Sequence, residues 1–178
     1  MRRKNLKLFH YSDNMNRKSK EYFMKLAIEQ AELAYRSDEV PVGAVIVLDD
    51  EIVGEGYNRV IRESDPTAHA EITALRSAGK KMKNYRLLNT EVYVTLEPCV
   101  MCYSALVQAR VKALYFGAFD EKTGVYSTGA YDRMPGIFNH DIEVEPGVLQ
   151  EESSGMLKHF FKERRGAGAV ERDGLENR

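Results

Sequence analysis

Apolar side chains near the start of the chain recur at the spacing of an α-helix. Between residues 21 and 36 they step by three and four positions, at Phe23, Ala27, Ala31 and Ala34. This spacing places them on one face, so we predict an amphipathic helix that ends near Arg36. Further helices are predicted over residues 68–78, 98–108 and 149–164. In the first of these, Ile72 and Leu75 are expected to face inward, and Gly79 is expected to end the helix.

Short runs of β-branched and apolar residues lie between these helices. Residues 42–48 are almost continuously apolar, and residues 51–57 resume the pattern after Asp49-Asp50. We predict that they form a hairpin whose first strand is buried on both faces. Three more strands are predicted, over residues 91–96, 111–116 and 142–144. Residues 117–139 are rich in Gly, Tyr and Asp, lack periodicity and are predicted to form a long loop.

The alternation of strands and helices after a leading hairpin predicts an α/β fold with three layers, α/β/α. The mixed sheet would have roughly five strands, with helices on both of its faces. We place this domain at residues 21–165, between a basic tail at residues 1–20 and a polar tail at residues 166–178. A length of 178 residues suits one such domain.

Composition and charge exclude several classes of protein. With 43% apolar and 30% charged residues, the chain is neither disordered nor collagen-like. No apolar run approaches the ~18 residues that a membrane span requires. Two cysteines, Cys99 and Cys102, cannot form a disulfide framework and are consistent with a reducing compartment.

Charge is distributed unevenly, although the net charge is only −1. Residues 1–25 carry a net charge of +6 and residues 158–178 carry +2, so the segment between them carries −9. A basic tail could lie along a phosphate backbone, but the charge alone favours a solvated terminus. No apolar segment follows the basic start, which argues against a secretory signal and leaves an organellar transit segment as an alternative.

A cluster of metal-ligating and acidic residues stands out from this background. His69 and Glu71 stand two positions apart at the predicted start of one helix, and Cys99 and Cys102 follow Pro98 at the start of another. Pro98 suits the first helical position, so Cys99 would lie within the first turn and share a face with Cys102. The positive end of that helix would stabilise a thiolate, so two helix N-termini would converge on one cation.

The donor types of this cluster suggest a particular metal. One imidazole and two thiolates suit Zn²⁺ better than Mg²⁺ or Ca²⁺, and three ligands leave a position open for water, as in a catalytic zinc site. Glu71 would act as an acid and base beside that water. Taken singly, the motifs have simpler explanations: a redox pair of cysteines, a core histidine and a solvated glutamate. Taken together, they match the signature of zinc-dependent nucleobase deaminases.

Five stretches resemble the bacterial type of tRNA-specific adenosine deaminase, within the cytidine deaminase-like superfamily. They are residues 39–45, 54–58, 65–72, 94–102 and 116–124. The resemblance implies a cytidine deaminase-like fold and hydrolytic conversion of adenosine to inosine at the wobble position of a tRNA anticodon. It also implies one catalytic Zn²⁺ per subunit and a cytoplasmic homodimer.

The resemblance further implies the roles of the motif residues. His69, Cys99 and Cys102 would hold the zinc ion. Glu71 would carry a proton from the attacking water to the purine N1 and then to the departing ammonia. These roles agree with the chemistry that the residues alone suggest, one zinc ion and one carboxylate. An adenine in a single-stranded loop is the least costly one to unstack, so such a loop is the favoured RNA substrate.

Residues outside the ligand cluster would contact the substrate. By the same resemblance, Asn58 and the Ala70 backbone would hold the flipped base, and Asp120 would contact the adjacent ribose-phosphate backbone. Four residues near the C-terminus would lie close to the anticodon loop: Phe160, Phe161, Arg164 and Arg165.

The chain departs from the family pattern in the long loop. Phe119 stands where the family commonly has Arg, and residues 125–136 do not follow the usual sequence. Three side chains there, Tyr126, Tyr131 and Met134, could stack on RNA bases or could pack within a lineage-specific loop. The identity of the RNA substrate therefore stays open at this point.

Three hypotheses for function follow. The first is a tRNA adenosine deaminase, and the second is a small-molecule deaminase acting on guanine, cytosine or a related base. The third is a zinc-stabilised RNA-binding protein without turnover. Glu71 argues against the third hypothesis, because a structural zinc site has no use for an adjacent acid and base.

Overall fold

The computed structural model describes residues 18–133 and 136–175, with side chains described as far as residue 165. Helices and strands alternate along this part of the chain. Their bounds, in chain order, are α1 Lys20–Arg36, β1 Gly43–Leu48, β2 Glu51–Tyr57, α2 Val60–Glu63, α3 Ala70–Met82, β3 Glu91–Leu96, α4 Val100–Ala109, β4 Ala113–Ala118, β5 Glu143–Pro146 and α5 Gln150–Leu175.

A five-stranded mixed sheet forms the centre of the domain, in the order β2-β1-β3-β4-β5. β1 pairs antiparallel with β2 and with β3, whereas β3, β4 and β5 pair parallel to one another. The β1–β2 hairpin confirms the prediction made from the apolar runs. Parallel neighbours need a crossover connection, and α4 supplies it between β3 and β4.

Helices cover both faces of the sheet, as predicted. On one face, α3 and α4 pack over a core that includes Ile46 and Leu114. On the other face, α1 packs over Val45 and Tyr93. The last helix, α5, approaches this second face where Gly117 leaves room for it. The three-layer α/β/α prediction is therefore confirmed.

The face of α3 that meets the sheet is lined with small residues. The buried apolar positions of this helix are Ala70, Ala74 and Ala78. Ile72 and Leu75, which were expected to face inward, are only half-buried. A Cβ atom added at Gly56 of β2 would lie 2.4 Å from the Ala74 nitrogen, so the helix lies too close to β2 for larger side chains.

Several element ends differ from the predicted ones. Gly79 does not end α3, which continues to Met82, because one glycine costs a packed helix only about 1 kcal/mol. Pro98 lies before α4 and not at its first position, so Cys99 is the N-cap residue. The short α2 lies between β2 and α3, where no helix is predicted. β4 and β5 each begin one or two residues later than predicted.

The predicted tails are only partly covered by the structure. Residues 1–17, nearly all of the predicted basic tail, lie outside the described residues, so its boundary stays a prediction. α5 continues to Leu175, beyond the predicted end at residue 164, although no side chain is described after residue 165. Across the described residues, no helix combines the length and the apolar character needed to span a membrane.

Gly43 allows α1 to lie directly against β1. A Cβ atom at this position would lie 2.1 Å from the Ala27 carbonyl oxygen. We therefore expect Gly43→Ala to lower the free energy of unfolding by at least about 2 kcal/mol, as overpacking of a core does. Chemical denaturation followed by circular dichroism measures this change.

Gly155→Ala is the matched control for this substitution. An added Cβ at Gly155 of α5 would meet nothing within 4 Å. Alanine should therefore raise stability there by up to about 1 kcal/mol through its higher helix propensity. Equal stability of Gly43→Ala and the wild-type protein would contradict the close contact between α1 and β1.

Candidate active site

Two helix N-termini meet at the site. His69 is the N-cap residue of α3, Cys99 is the N-cap residue of α4, and Cys102 is the third residue of α4. The His69 side chain makes no capping hydrogen bond to α3, whereas the Cys99 sulfur hydrogen-bonds with Cys102 of its own helix. The imidazole and the Cys99 sulfur therefore face each other across the gap between the two helices, with Cys102 beside them.

The three side chains fit the coordination of a zinc ion. The His69 Nδ1 atom lies 3.8 Å from Cys99 Sγ and 3.5 Å from Cys102 Sγ. All three ligand atoms lie within 4.8 Å of one another. Tetrahedral Zn²⁺, with bonds of about 2.3 Å to sulfur and about 2.1 Å to nitrogen, places sulfur and nitrogen about 3.6 Å apart. The cluster thus offers three zinc ligands and leaves the fourth position open.

The protonation of the two thiols is strongly unequal. A hydrogen bond from Cys102 lowers the pKa of Cys99 to about 4. The same hydrogen bond, together with burial, raises the pKa of Cys102. A hydrogen bond with Cys99 also raises the pKa of His69. The cluster concentrates negative charge on sulfur, which a divalent cation stabilises.

Glu71 lies in the first turn of α3 and is only 4% exposed. Burial raises the pKa of its carboxyl to about 7, although its own backbone N–H and the nearby His69 act in the opposite direction. The carboxyl hydrogen-bonds with Cys102, so it lies beside the ligand cluster without belonging to it. A carboxyl in this position can exchange protons with a reacting group near neutral pH.

The Asn58 side chain connects two segments at the edge of the site. Its Oδ1 accepts a hydrogen bond of 2.9 Å from the Ala70 N–H, and its Nδ2 donates one of 3.1 Å to the Val40 carbonyl. The structure thus brings together the two residues predicted to hold the base, bonded to each other. Asn58 retains one N–H for a ligand, and a direct contact between Ala70 and a base stays a prediction.

Asp120 stabilises its own turn. Its Oδ1 accepts hydrogen bonds from the backbone N–H groups of Lys122 and Thr123, at 3.0 and 3.1 Å. Phe119, the preceding residue, is 47% exposed and packs edge-on against Phe116. Asp120 and Phe119 both line a cavity of about 910 Å³. The cavity also includes Val40, whose carbonyl accepts from Asn58 at the edge of the ligand cluster.

The four residues predicted near the anticodon loop divide into two groups. Phe160 is only 7% exposed and packs against Tyr35 of α1. Arg164 bonds to Asp38, so both residues stabilise the contact between α1 and α5. The structure therefore does not support a direct RNA contact by Phe160, because its ring is covered.

The other two residues are accessible. Phe161 is 44% exposed and lines the same cavity as Phe119 and Asp120. Arg165 is exposed on α5. Both side chains are exposed enough to contact RNA, and such contacts stay predictions.

The aromatic residues of the divergent loop turn inward. Tyr126, Tyr131 and Phe138 each pack edge-on against Tyr103 of α4, with ring centroids between 5.2 and 5.8 Å apart. Burial raises the pKa of the Tyr126 hydroxyl. Of the two alternatives considered, the geometry favours packing within the loop. Met134 lies outside the described residues.

Two buried carboxylates near the site were missed by sequence reasoning. Glu39 and Glu97 are each 2% exposed. Glu39 accepts hydrogen bonds from two backbone N–H groups of α2, those of Ile61 and Arg62. A signal was present in the sequence, because each glutamate adjoins an apolar run in which a solvated carboxylate would not fit.

Comparison with known families identifies this arrangement. The family model described as the cytidine and deoxycytidylate deaminase zinc-binding region matches residues 17–118, which include the whole ligand cluster and Glu71. Among curated proteins, the tRNA-specific adenosine deaminase of Haemophilus influenzae is 49% identical over 153 residues, covering 85% of this chain and 88% of the relative.

Two solved structures also resemble this chain, and that of a tRNA deaminase resembles it more than that of a guanine deaminase. A structure from studies of A-to-I editing by tRNA:A34 deaminases at the wobble position of transfer RNA superposes with a TM-score of 0.73 at 42% identity, covering 76% of this chain and 99% of that chain. The guanine deaminase of Nitrosomonas europaea superposes with a TM-score of 0.66 at 25% identity, covering 80% and 84%. Sequence identity separates these two relatives more clearly than the fold does.

Removal of one ligand should reduce zinc binding and stability together. Loss of a residue that only hydrogen-bonds to a metal ligand lowers metal affinity about 10–100-fold. We expect His69→Ala and Cys99→Ser, which each remove a ligand itself, to lower zinc affinity by more than this. The melting temperature should fall as well, because metal binding contributes to folding. Elemental analysis and thermal denaturation measure the two effects.

His159→Ala is the matched control, since His159 lies exposed on α5, where it pairs with Glu163 and stacks on Tyr35, and it does not belong to the ligand cluster. This variant should keep the wild-type zinc content. Full zinc content in His69→Ala or Cys99→Ser would contradict the ligand set.

Proposed function

The chain belongs to the cytidine and deoxycytidylate deaminase zinc-binding family, and we propose that it is a zinc-dependent hydrolase that converts adenosine to inosine at the wobble position of a tRNA anticodon. The observation that carries this function is the cluster of three ligand atoms within 4.8 Å, with a buried Glu71 beside it. The 49% identity to a tRNA-specific adenosine deaminase supports the choice of substrate.

The reaction replaces the exocyclic amine at C6 of adenine with the oxygen of water and releases ammonia. His69, Cys99 and Cys102 would hold a zinc ion, which would supply Lewis-acid activation of the attacking water. Glu71 would take one proton from this water and give it to N1 of the purine as the oxygen bonds to C6. It would then take the second proton from the new C6 hydroxyl and give it to the amine, so that the C6–N bond breaks and ammonia leaves. One carboxyl suffices for these transfers because it lies beside the cluster, bonded to Cys102, and is sheltered from bulk solvent.

The remaining site residues hold the substrate. The free N–H of Asn58 is positioned to donate to the flipped base, because its other amide atoms are fixed by Val40 and Ala70. Asp120 and Phe161, which line the adjoining cavity, would contact the nucleotides next to the target. A single-stranded anticodon loop suits this arrangement, since its bases are splayed out of a stack at low cost.

A small-molecule deaminase is less well supported by the structure. The divergent loop would favour this alternative if its aromatic side chains faced a substrate, but Tyr126 and Tyr131 pack against Tyr103. The identity to the guanine deaminase is 25%, well below the 49% found for the tRNA enzyme. We extend the proposal to a cytoplasmic location, where tRNA resides; cell fractionation that placed the protein elsewhere would contradict it.

A groove between α3 and α4 supports the proposal of a homodimer. It is lined by apolar residues that include Leu75, Leu87 and Ala105, and by Tyr85, which is 72% exposed. We expect a second copy to cover this groove, because an exposed apolar patch of this kind marks an interface. Sedimentation should give twice the mass of one chain for the wild-type protein and a shift to monomer for Tyr85→Glu.

Leu33→Glu is the control, because Leu33 is 39% exposed on α1, outside the groove. This variant should sediment as the wild-type protein does. A monomeric wild-type protein would contradict the homodimer, and a dimeric Tyr85→Glu would place the interface elsewhere.

The decisive experiment is an activity assay with defined substrates. The purified zinc protein should form inosine in an anticodon stem-loop with a wobble adenosine, and it should leave free guanine and cytosine unchanged. Glu71→Ala should keep its zinc, but its rate of deamination should fall by about 10²–10⁴-fold, the usual contribution of general acid–base catalysis.

Glu29→Ala, at an exposed position of α1, is the matched control and should retain full activity. Deamination of free guanine in place of the stem-loop would favour the small-molecule alternative. Inosine formation by Glu71→Ala at the wild-type rate would overturn the catalytic role of Glu71.

A further inference from the structure

Glu97 is a buried carboxylate that the proposed chemistry does not use. It follows β3 and immediately precedes the Pro98–Cys102 segment that carries two of the zinc ligands. Its side chain is nearly inaccessible to solvent, with 2% of the residue exposed. Within the described part of the chain, no lysine or arginine forms an ion pair with it, so its charge is stabilised by hydrogen bonds alone.

The side-chain hydrogen bonds of Glu97 lead to one loop. Its Oε1 accepts from the backbone N–H groups of Tyr126 and Ser127, each at 2.8 Å. Its Oε2 accepts from the Asp120 backbone N–H at 3.0 Å and from the Ser127 hydroxyl. A carboxylate, which only accepts hydrogen bonds, matches these four donors completely.

Close packing makes this arrangement rigid. A Cβ atom at Gly124 would lie 2.3 Å from the Glu97 carboxyl carbon, so only glycine permits the approach. The Val125 N–H donates to the Pro98 carbonyl at 3.0 Å, and Gly124 forms a bridge with Cys99. The loop that carries Asp120 is therefore joined directly to the segment that carries a metal ligand.

We propose that Glu97 is a positioning residue for RNA binding: it fixes the 119–127 loop, and with it Asp120, at a set distance from the zinc ligands. The inference rests on the proposed function, because it takes Asp120 to face the nucleotide next to the target. Glu97 itself touches no substrate. It determines how well the RNA backbone fits while the base lies at the metal, so its effect falls on substrate binding more than on chemistry.

Glu97→Gln tests this role with little change in shape. Its amide oxygen can still accept from Tyr126 and Ser127, but its NH₂ group would face the Asp120 N–H, donor against donor. We expect the zinc content and kcat to remain within about twofold of wild type and the KM for the stem-loop to rise about tenfold, the cost of one unpaired buried donor. Amide hydrogen exchange at Asp120 should become faster.

A double-mutant cycle separates positioning from general destabilisation. If Glu97 acts through Asp120, Glu97→Gln should raise KM much less in an Asp120→Asn background than in the wild-type background. Glu39→Gln is the control, because it alters a second buried carboxylate that accepts two backbone N–H groups outside the loop. Any effect of Glu39→Gln on KM should persist in the Asp120→Asn background.

Ser127→Ala provides a second variant should Glu97→Gln fail to fold. It removes one donor to Glu97 from an exposed residue. It should raise the KM for the stem-loop by a few-fold, and this rise should be smaller in the Asp120→Asn background. The proposal is wrong if Glu97→Gln lowers kcat or zinc content at unchanged KM, or if the effects of Glu97 and Asp120 on KM are fully additive.

The assay also distinguishes this inference from the proposed function. The wild-type rate on the stem-loop tests the function alone. Hydrogen exchange tests the attachment of the loop without any RNA, and unchanged protection of Asp120 in Glu97→Gln would overturn the inference.

Discussion

The meeting of two helix N-termini is the constraint on which the site depends. A residue at an N-cap position normally bonds to the first free N–H groups of its own helix. His69 does not, and its imidazole is therefore available as a ligand 3.8 Å from the Cys99 sulfur. For α3 the missing cap is supplied from outside, because Asn58 accepts from the Ala70 N–H. The amide of Asn58 thus satisfies the helix, while the imidazole remains free to bind metal.

The same neighbourhood holds three buried glutamates, and the way each is stabilised indicates its role. Glu39 and Glu97 accept hydrogen bonds from several backbone N–H groups, which offsets the cost of burying their charge. They fix α2 and the 119–127 loop in place. For Glu71, burial outweighs the stabilising contacts and raises its pKa to about 7. The two satisfied carboxylates are structural, and the less well satisfied one can take up and release a proton.

Much of the fold and the ligand cluster could be predicted from the sequence because both leave local signals. The helix of residues 21–36 and the β1–β2 hairpin follow from periodicity, and the histidine and cysteines are recognisable by type and spacing. The close contact of α3 with β2 was not predictable, because it depends on Gly56 meeting Ala74 across the chain. The covered position of Phe160 escaped prediction for the same reason: its partner, Tyr35, lies far away in sequence.

The divergent loop shows how sequence can change while the site keeps its shape. Tyr126 and Tyr131 extend the core around Tyr103, so these unusual residues pack within the protein. The cavity side retains Asp120, held by its own turn and by the carboxylate of Glu97. Phe119 is the exception, since it stands in the cavity wall where the family commonly has Arg. Phe119 thus offers the cavity an aromatic face in place of a positive charge; aromatic faces stack on bases, whereas cations attract phosphates.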